Sequence, residues 1–271
     1  MRQIINYLCF IAISSSQDFQ VRVVMKMQFD IPVLGPMNVL YDQTVAPGLL
    51  KVEEKIDADR FYASWLADDE TGELMISGSE KIIMYDKDDE EYWLQSPEVY
   101  FQKPDTSSDN SRSFSYSFSA DDEDDKSPPK FTRTGGKEIE FLHGFRTKKW
   151  ITTISFSEKR MVFEEWFVDK LPLMKMSDSL KFSVKSKFNP NPDTTAFEQF
   201  DFSSNLFIKA MDTLTTLDPI DGYAVKINFV AYEESDDPKF TAGFEIMELY
   251  AEPVDTGFFV IPENYERIEK D

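Results

Sequence analysis

The chain has 271 residues and a formal net charge of −21, with 41% hydrophobic and 14% aromatic residues. That apolar content can form a sizeable core, which excludes an intrinsically disordered chain. The acidic balance argues against nucleic-acid binding, because carboxylates repel phosphate backbones, and it disfavours anionic membrane surfaces for the same reason.

The N-terminus has the pattern of an export signal. A basic start is followed by the apolar run Ile4–Ile13, which is too short to span a bilayer comfortably, and then by small residues. We predict a signal peptide over residues 1–16, cleaved after Ser14 or Ser16. Cys9, the only cysteine, lies inside this segment. The mature chain is therefore predicted to have no disulfide, thiol nucleophile or thiolate metal site.

A period of two follows the signal peptide. Apolar and polar residues alternate from Asp18 to Ile31, which predicts a strand with one dry and one wet side. The same alternation recurs over residues 112–119, 150–156, 180–188, 223–229 and 240–246, and a mixed strand follows over 161–168. About ten or eleven strands result, a number suited to a barrel, a half-barrel or a sandwich.

Turn residues divide these strands. We predict turns at residues 68–72, 86–90 and 233–238, and a further turn at Gly135-Gly136. Residues 119–130 are predicted to form an acidic, solvated loop. Because the β pattern continues on both sides of that loop, we predict a single β domain over residues 17–271.

One segment has helical spacing instead. Its apolar residues recur every three or four positions, Ser203 or Ser204 can cap its start, and Pro219 stops its continuation. A lone helix in such a chain most often covers the open face of a curved sheet. The residues of the apolar stripe are Leu206, Ala210, Met211, Leu214 and Leu217.

Candidate catalytic groups are few. His143 is the only histidine and lies beside a turn glycine, so we interpret it as a structural or exposed loop residue. Asp86, Asp88 and Glu90 have alternating spacing but do not match a calcium-binding loop, and we interpret them as a solvated hairpin tip. We therefore predict no catalytic residues, no metal site and no cofactor.

Several segments carry a family resemblance. They are Ser77–Asp86, Gly144–Trp150, Val162–Val168, Gly222–Lys226 and Glu252–Tyr265. Over residues 18–268 the chain resembles uncharacterised periplasmic proteins with the lipoprotein-carrier (LolA/LolB-like) fold. The resemblance implies a mainly β fold, a strongly curved antiparallel sheet or incomplete β-barrel whose apolar concave face is covered by helix. In the carriers, that concavity receives acyl chains.

The resulting hypothesis is a soluble, exported protein of the periplasm or cell envelope that binds an acyl chain or another hydrophobic ligand. Its partners would be a lipid, a lipoprotein acyl chain or an envelope protein. One alternative is a non-catalytic structural or interaction module in which the same residues form a filled core. A third possibility is an outer-membrane β-barrel. The predicted lining consists of Val23, Met25, Met27, Phe29, Phe182, Val184, Met211, Leu214, Val225, Ile227 and Phe229.

Overall fold

A computed structural model describes residues 18–31, 35–58, 69–101, 130–156, 159–189, 217–233 and 236–270. Twelve strands in these ranges belong to one sheet. The strands are β1 (Phe19–Ile31), β2 (Gly35–Ala46), β3 (Leu49–Ala58), β4 (Asp69–Ile76), β5 (Ile82–Asp86), β6 (Glu91–Gln95), β7 (Lys130–Leu142), β8 (Phe145–Phe156), β9 (Lys159–Val168), β10 (Tyr223–Glu233), β11 (Pro238–Pro253) and β12 (Glu266–Arg267). The helices are α1 (Pro97–Tyr100), α2 (Pro172–Phe188) and a short 3-10 helix (Thr256–Phe259).

The strand order is β12-β6-β5-β4-β3-β2-β1-β11-β10-β9-β8-β7. Strands β1 to β6 and β7 to β11 form two antiparallel meanders, which the pairing of β1 with β11 joins in the centre. Only the short β12 pairs in parallel, with β6. The predicted fold class is therefore confirmed: the protein is mainly β, with one large, open, curved antiparallel sheet and a covering helix.

The alternation in β1 has the predicted consequence. Val21, Val23 and Met25 are buried, whereas Arg22 and Lys26 on the other parity are only partly so. The turns predicted at 86–90 and 233–238 are confirmed, since they separate β5 from β6 and β10 from β11.

Two predicted turns are wrong, and in both cases a glycine lies inside a strand. Residues 69–72 belong to β4, where Gly72 pairs with Tyr85. A Cβ at Gly72 would lie 2.1 Å from the Tyr85 ring, so the glycine is there for close packing rather than for a turn. Gly135 and Gly136 lie inside β7, where the pairing with β8 shifts register between Gly135 and Ile139. They form a bulge, not a turn.

The strand predicted over residues 180–188 is also wrong, because this segment belongs to α2. Its apolar residues alternate with lysines, but Leu180, Val184 and Phe188 are also spaced four apart and so share one helix face. Pro172 occupies the first turn, where it is compatible with a helix. Phe182 lies outside this face and is 44% exposed, whereas Val184 is fully buried.

Helix α2 contacts β1 to β4 and β11. Its buried side chains pack into a continuous apolar cluster with these strands, which we call the helix-covered core. Helix residues Met174, Val184 and Phe188 belong to it, together with strand residues such as Val23 and Leu50. The other face of the sheet is covered near β3 to β6 by the C-terminal segment, whose Phe259 packs on Ala46, Leu74 and Tyr85.

Some predictions fall outside the described residues. These are the signal peptide over 1–16, the strand over 112–119 and almost all of the acidic loop. The predicted helix around Met211 and Leu214 also lies outside them, except that Leu217, the last residue of its apolar stripe, is described and is not helical. In the part of the chain that the structure describes, no helix has the length and apolar character needed to cross a membrane.

Candidate functional site

The predicted hydrophobic lining divides among separate clusters. Val23, Met25, Val184 and Val225 are buried in the helix-covered core, and Met27 packs against it. They belong to one apolar cluster, to which α2 contributes Val184 and the strands contribute the others. The order of the sheet and the packing of α2 on it therefore bring together residues that are distant in sequence.

The remaining lining residues lie elsewhere. Phe229 is in a second cluster, where its ring centroid is 4.8 Å from Phe163 and 5.8 Å from Phe240, and Phe29 packs against this cluster. Ile227 is in a third cluster with Phe167. The described members of the predicted lining thus do not surround one common space.

Polar groups fix α2 to the sheet. The Lys185 ammonium lies 3.4 Å from the Glu73 carboxylate and 3.2 Å from the Tyr100 hydroxyl, which itself donates to Glu73. Burial raises the pKa of Tyr100, and the adjacent Glu73 carboxylate raises it further. At the middle of the helix, the Gln43 amide donates to Ser177 Oγ at 2.8 Å. The helix therefore rests on directional bonds as well as on apolar contacts.

A region of open volume lies near the β7 end of the sheet. A cleft of about 560 Å³ lies between strands β7 to β9 and residues 217–221, and we call it the β7–β9 cleft. Its lining includes Arg133, Gly136, Lys148, Trp150 and Phe167. Such a volume is within the range of small-molecule pockets, roughly 300–1,000 Å³.

The glycine bulge in β7 shapes this cleft. The backbone dihedral φ of Gly136 is +74°, a region that L side chains rarely adopt. A Cβ built there would lie 2.2 Å from Cζ2 of Trp150, and one at Gly135 would lie 2.3 Å from the carbonyl oxygen of Lys149. The two glycines therefore let the indole of Trp150 lie directly against the β7 backbone.

A hydrogen-bonded chain supports Arg133, one of the residues that line the cleft. Arg133 Nε donates to Thr152 Oγ1 at 3.0 Å, and Thr152 donates to Glu165 Oε2 at 2.9 Å. Arg133 Nη1 also donates to the carbonyl of Asp218, which joins β7 to the segment before β10. Thr152 and Glu165 are almost fully buried. These bonds hold Arg133 in position between β8 and the segment 217–221.

Charged residues at the cleft mouth have both signs. Lys148 Nζ lies 3.1 Å from Asp169 Oδ1, and both side chains are largely exposed. Asp218 and Asp221 line the opposite side. The floor combines two aromatic rings with a guanidinium, so the cleft suits an elongated apolar ligand with a polar end.

The other candidate groups have structural roles. His143 adopts a positive φ of 47° in the β7–β8 turn, and its Nε2 lies 2.8 Å from Glu245 Oε1. Asp86 Oδ1 accepts the backbone N–H groups of Asp88 and Asp89 at 3.0 Å, which agrees with a hairpin tip. Burial raises the pKa of Asp69, and the nearby Asp86 and Asp88 raise it further.

The sequence pattern did not predict the β7–β9 cleft. Its aromatic residues Trp150 and Phe167 were visible only as strand positions, and residues 217–221 lie far from them in the chain. The adjacent glycines within an otherwise extended segment were the one available signal, since such a pair often marks a bulge.

Comparison with known proteins gives matches in structure alone. No protein-family model and no curated protein matches the chain. One similar structure is described as an outer membrane lipoprotein-sorting protein domain from Vibrio parahaemolyticus, at 9% identity and a TM-score of 0.28, covering 89% of this chain and 88% of the other. Another is a LolA superfamily protein from Nitrosomonas europaea, at 8% identity and a TM-score of 0.22, covering 91% of each chain.

Both matches agree with the resemblance stated from the sequence. At these TM-scores the likeness carries no argument about what this chain binds. The fold assignment rests on the strand order, the register and the covering helix described above.

Proposed function

We propose that this chain is an envelope protein that binds a lipid acyl chain or another hydrophobic ligand, and that the β7–β9 cleft receives it. The observation that carries the proposal is the cleft itself, about 560 Å³ of space beside Trp150 and Phe167. The predicted lining under α2 is a poorer candidate for the site, since Val23, Val184 and Val225 are already buried against other side chains.

Charge and burial support an amphiphilic ligand. An acyl chain would lie over the two aromatic rings, from which it displaces water, at about 25 cal/mol per Å² of apolar surface buried. Its polar end would meet Arg133 or the residues at the cleft mouth. Arg133 has no carboxylate within ion-pair distance among the described residues, although the chain as a whole is strongly acidic.

Brominated fatty acid tests this proposal, because bromine quenches indole fluorescence on contact. The chain has four tryptophans, and among those that the structure describes Trp150 lines the cleft. We expect bromostearic acid to quench more than stearic acid does at the same concentration. Trp150→Phe should remove most of that difference, whereas Trp93→Phe, in β6 at the far end of the sheet, should leave it in place.

Native mass spectrometry of the chain after incubation with fatty acid provides an independent reading. A bare polypeptide mass together with equal quenching by the two acids would contradict ligand binding. Binding with quenching that persists in Trp150→Phe would place the ligand elsewhere in the protein.

The alternative of a structural or interaction module has its own support. The helix-covered core is closely packed, and Lys185, Glu73 and Tyr100 hold α2 in place. A protein that stays free of lipid in both experiments would favour this alternative.

A further inference from the structure

The β7–β8 hairpin has a surface that the proposed ligand site does not explain. Two cross-strand pairs each combine an apolar with a basic residue: Ile139 faces Lys148, and Phe141 faces Arg146. Residues directly opposite in adjacent strands project to the same side, so these four form one patch. Phe141 is 65% exposed and Ile139 is 46% exposed. We call this surface the hairpin patch.

The local charge of this region is opposite to that of the whole chain. Residues 130–168, which contain β7 to β9, have eight Lys and Arg against five Asp and Glu, whereas the chain carries −21. Charges beyond about 8–10 Å are largely screened at physiological salt, so an approaching surface senses the local charge first. The acidic composition therefore does not prevent this end of the sheet from meeting an anion.

Two acidic residues near the patch have partners other than Arg146. Asp169 pairs with Lys148, and Glu140 on the opposite side of β7 accepts the indole N–H of Trp166 at 2.8 Å. Arg146 itself is exposed and has no ion pair among the described residues. Strand β7 is also at the end of the described sheet, so no described strand covers its outer edge.

We propose that the hairpin patch docks on an anionic lipid surface. Phe141 and Ile139 would enter the region between head groups and acyl chains, while Arg146 and Lys148 contact the phosphates. Two apolar residues side by side with two basic residues fit a lipid interface better than an acidic protein surface. An acidic surface would pair with the basic residues but would offer the exposed Phe141 ring no apolar contact. The choice of lipid rests on the proposed function, because Lys148 belongs both to the patch and to the β7–β9 cleft.

Vesicle flotation tests the docking separately from ligand binding. The probe is a phosphatidylcholine vesicle with or without about one third phosphatidylglycerol, mixed with the full chain in 0.1 M salt. We expect the chain to float only with the anionic vesicles. Each basic residue near such a surface contributes about 1 kcal/mol, so Arg146→Glu should lower the partition coefficient roughly 30-fold. Phe141→Ser should lower it roughly tenfold, since an inserted aromatic side chain is lost.

Matched controls lie elsewhere on the surface. Val260 is 56% exposed and Lys81 is exposed, and both lie outside β7 to β9, so Val260→Ser and Lys81→Glu should leave flotation unchanged. Failure of the wild-type chain to float with anionic vesicles would overturn the inference, as would an equal loss in the controls. Loss in Arg146→Glu with none in Phe141→Ser would also overturn it, because the contact would then be electrostatic without insertion.

The two proposals can fail independently. Neither Phe141 nor Arg146 lines the cleft, so quenching of Trp150 by bromostearic acid should persist in both variants. Quenching without flotation overturns the docking alone, and flotation without quenching overturns the ligand site alone.

Discussion

Gly136→Ala is the substitution that most directly tests how the β7–β9 cleft is built. The new Cβ would lie 2.2 Å from Trp150 Cζ2, and φ at this position is +74°. A positive φ costs an L residue about 1–2 kcal/mol. Forcing a methyl group into a packed site adds about 1–3 kcal/mol. We therefore expect the free energy of unfolding to fall by about 3 kcal/mol, as measured by urea denaturation.

Gly144→Ala is a matched control. Gly144 lies in the turn after the same strand with φ +87°, and a Cβ there meets no atom within 4 Å. It should therefore show the backbone cost alone, about 1–2 kcal/mol. The difference between the two variants is the steric contribution of Trp150.

A double-mutant cycle isolates that contribution. In a Trp150→Ala background, Gly136→Ala should cost no more than Gly144→Ala does, because the ring that it would strike is gone. In the wild-type background, displacement of the indole should also weaken quenching by bromostearic acid. Equal costs for the two alanine substitutions, with no coupling to Trp150, would refute the view that the glycine bulge seats this ring.

Three further tests concern α2 and the strands that it packs on. In urea denaturation, Val184→Ala should lower the free energy of unfolding by about 2 kcal/mol and Phe182→Ala by far less, because only Val184 is buried. Similar losses would contradict the helix, since residues two apart share a face in a strand. Lys185→Met should cost about 3 kcal/mol by leaving the Glu73 carboxylate without its cation, and adding Glu73→Leu should recover most of that loss. Burial raises the pKa of Glu54, and the neighbouring carboxylates of Asp69 and Glu73 raise it further. Ionised Glu54 therefore destabilises the folded protein, and this cost develops as the pH rises above the pKa that the group has in the unfolded chain. Glu54→Gln should therefore raise the urea midpoint at pH 7 and have little effect at pH 3, whereas an equal shift at both pH values would contradict this cause.

The strand pattern could be predicted because period two is a local property. In β1, each residue on the apolar parity from Val21 to Met25 is buried, and the hairpin tip at residues 86–90 follows from its own composition. Helix α2 was predicted as a strand because a spacing of four residues fits both the strand period of two and the helix period of 3.6. Leu180, Val184 and Phe188 therefore share a face in either structure. Tertiary contact with the sheet decided between them.

The candidate site was harder to predict because it depends on long-range register. Trp150 becomes a cleft residue only where β8 pairs with the bulged part of β7 and where residues 217–221 approach from another part of the chain. Neither contact leaves a periodic trace in the sequence. The adjacent glycines mark the place, but a glycine pair between extended segments indicates a turn equally well.

The two faces of β9 explain why close packing and open space occur in the same part of the sheet. Trp166 and Val168 belong to the helix-covered core, whereas Phe167 between them lines the β7–β9 cleft. Because successive residues of a strand project to opposite faces of the sheet, the helix-covered core and the cleft lie on opposite sides of β9. Helix α2 therefore cannot cover Trp150 and Phe167. Among the described residues, the segment 217–221 lies against these two rings instead, with Ile220 in the same cluster.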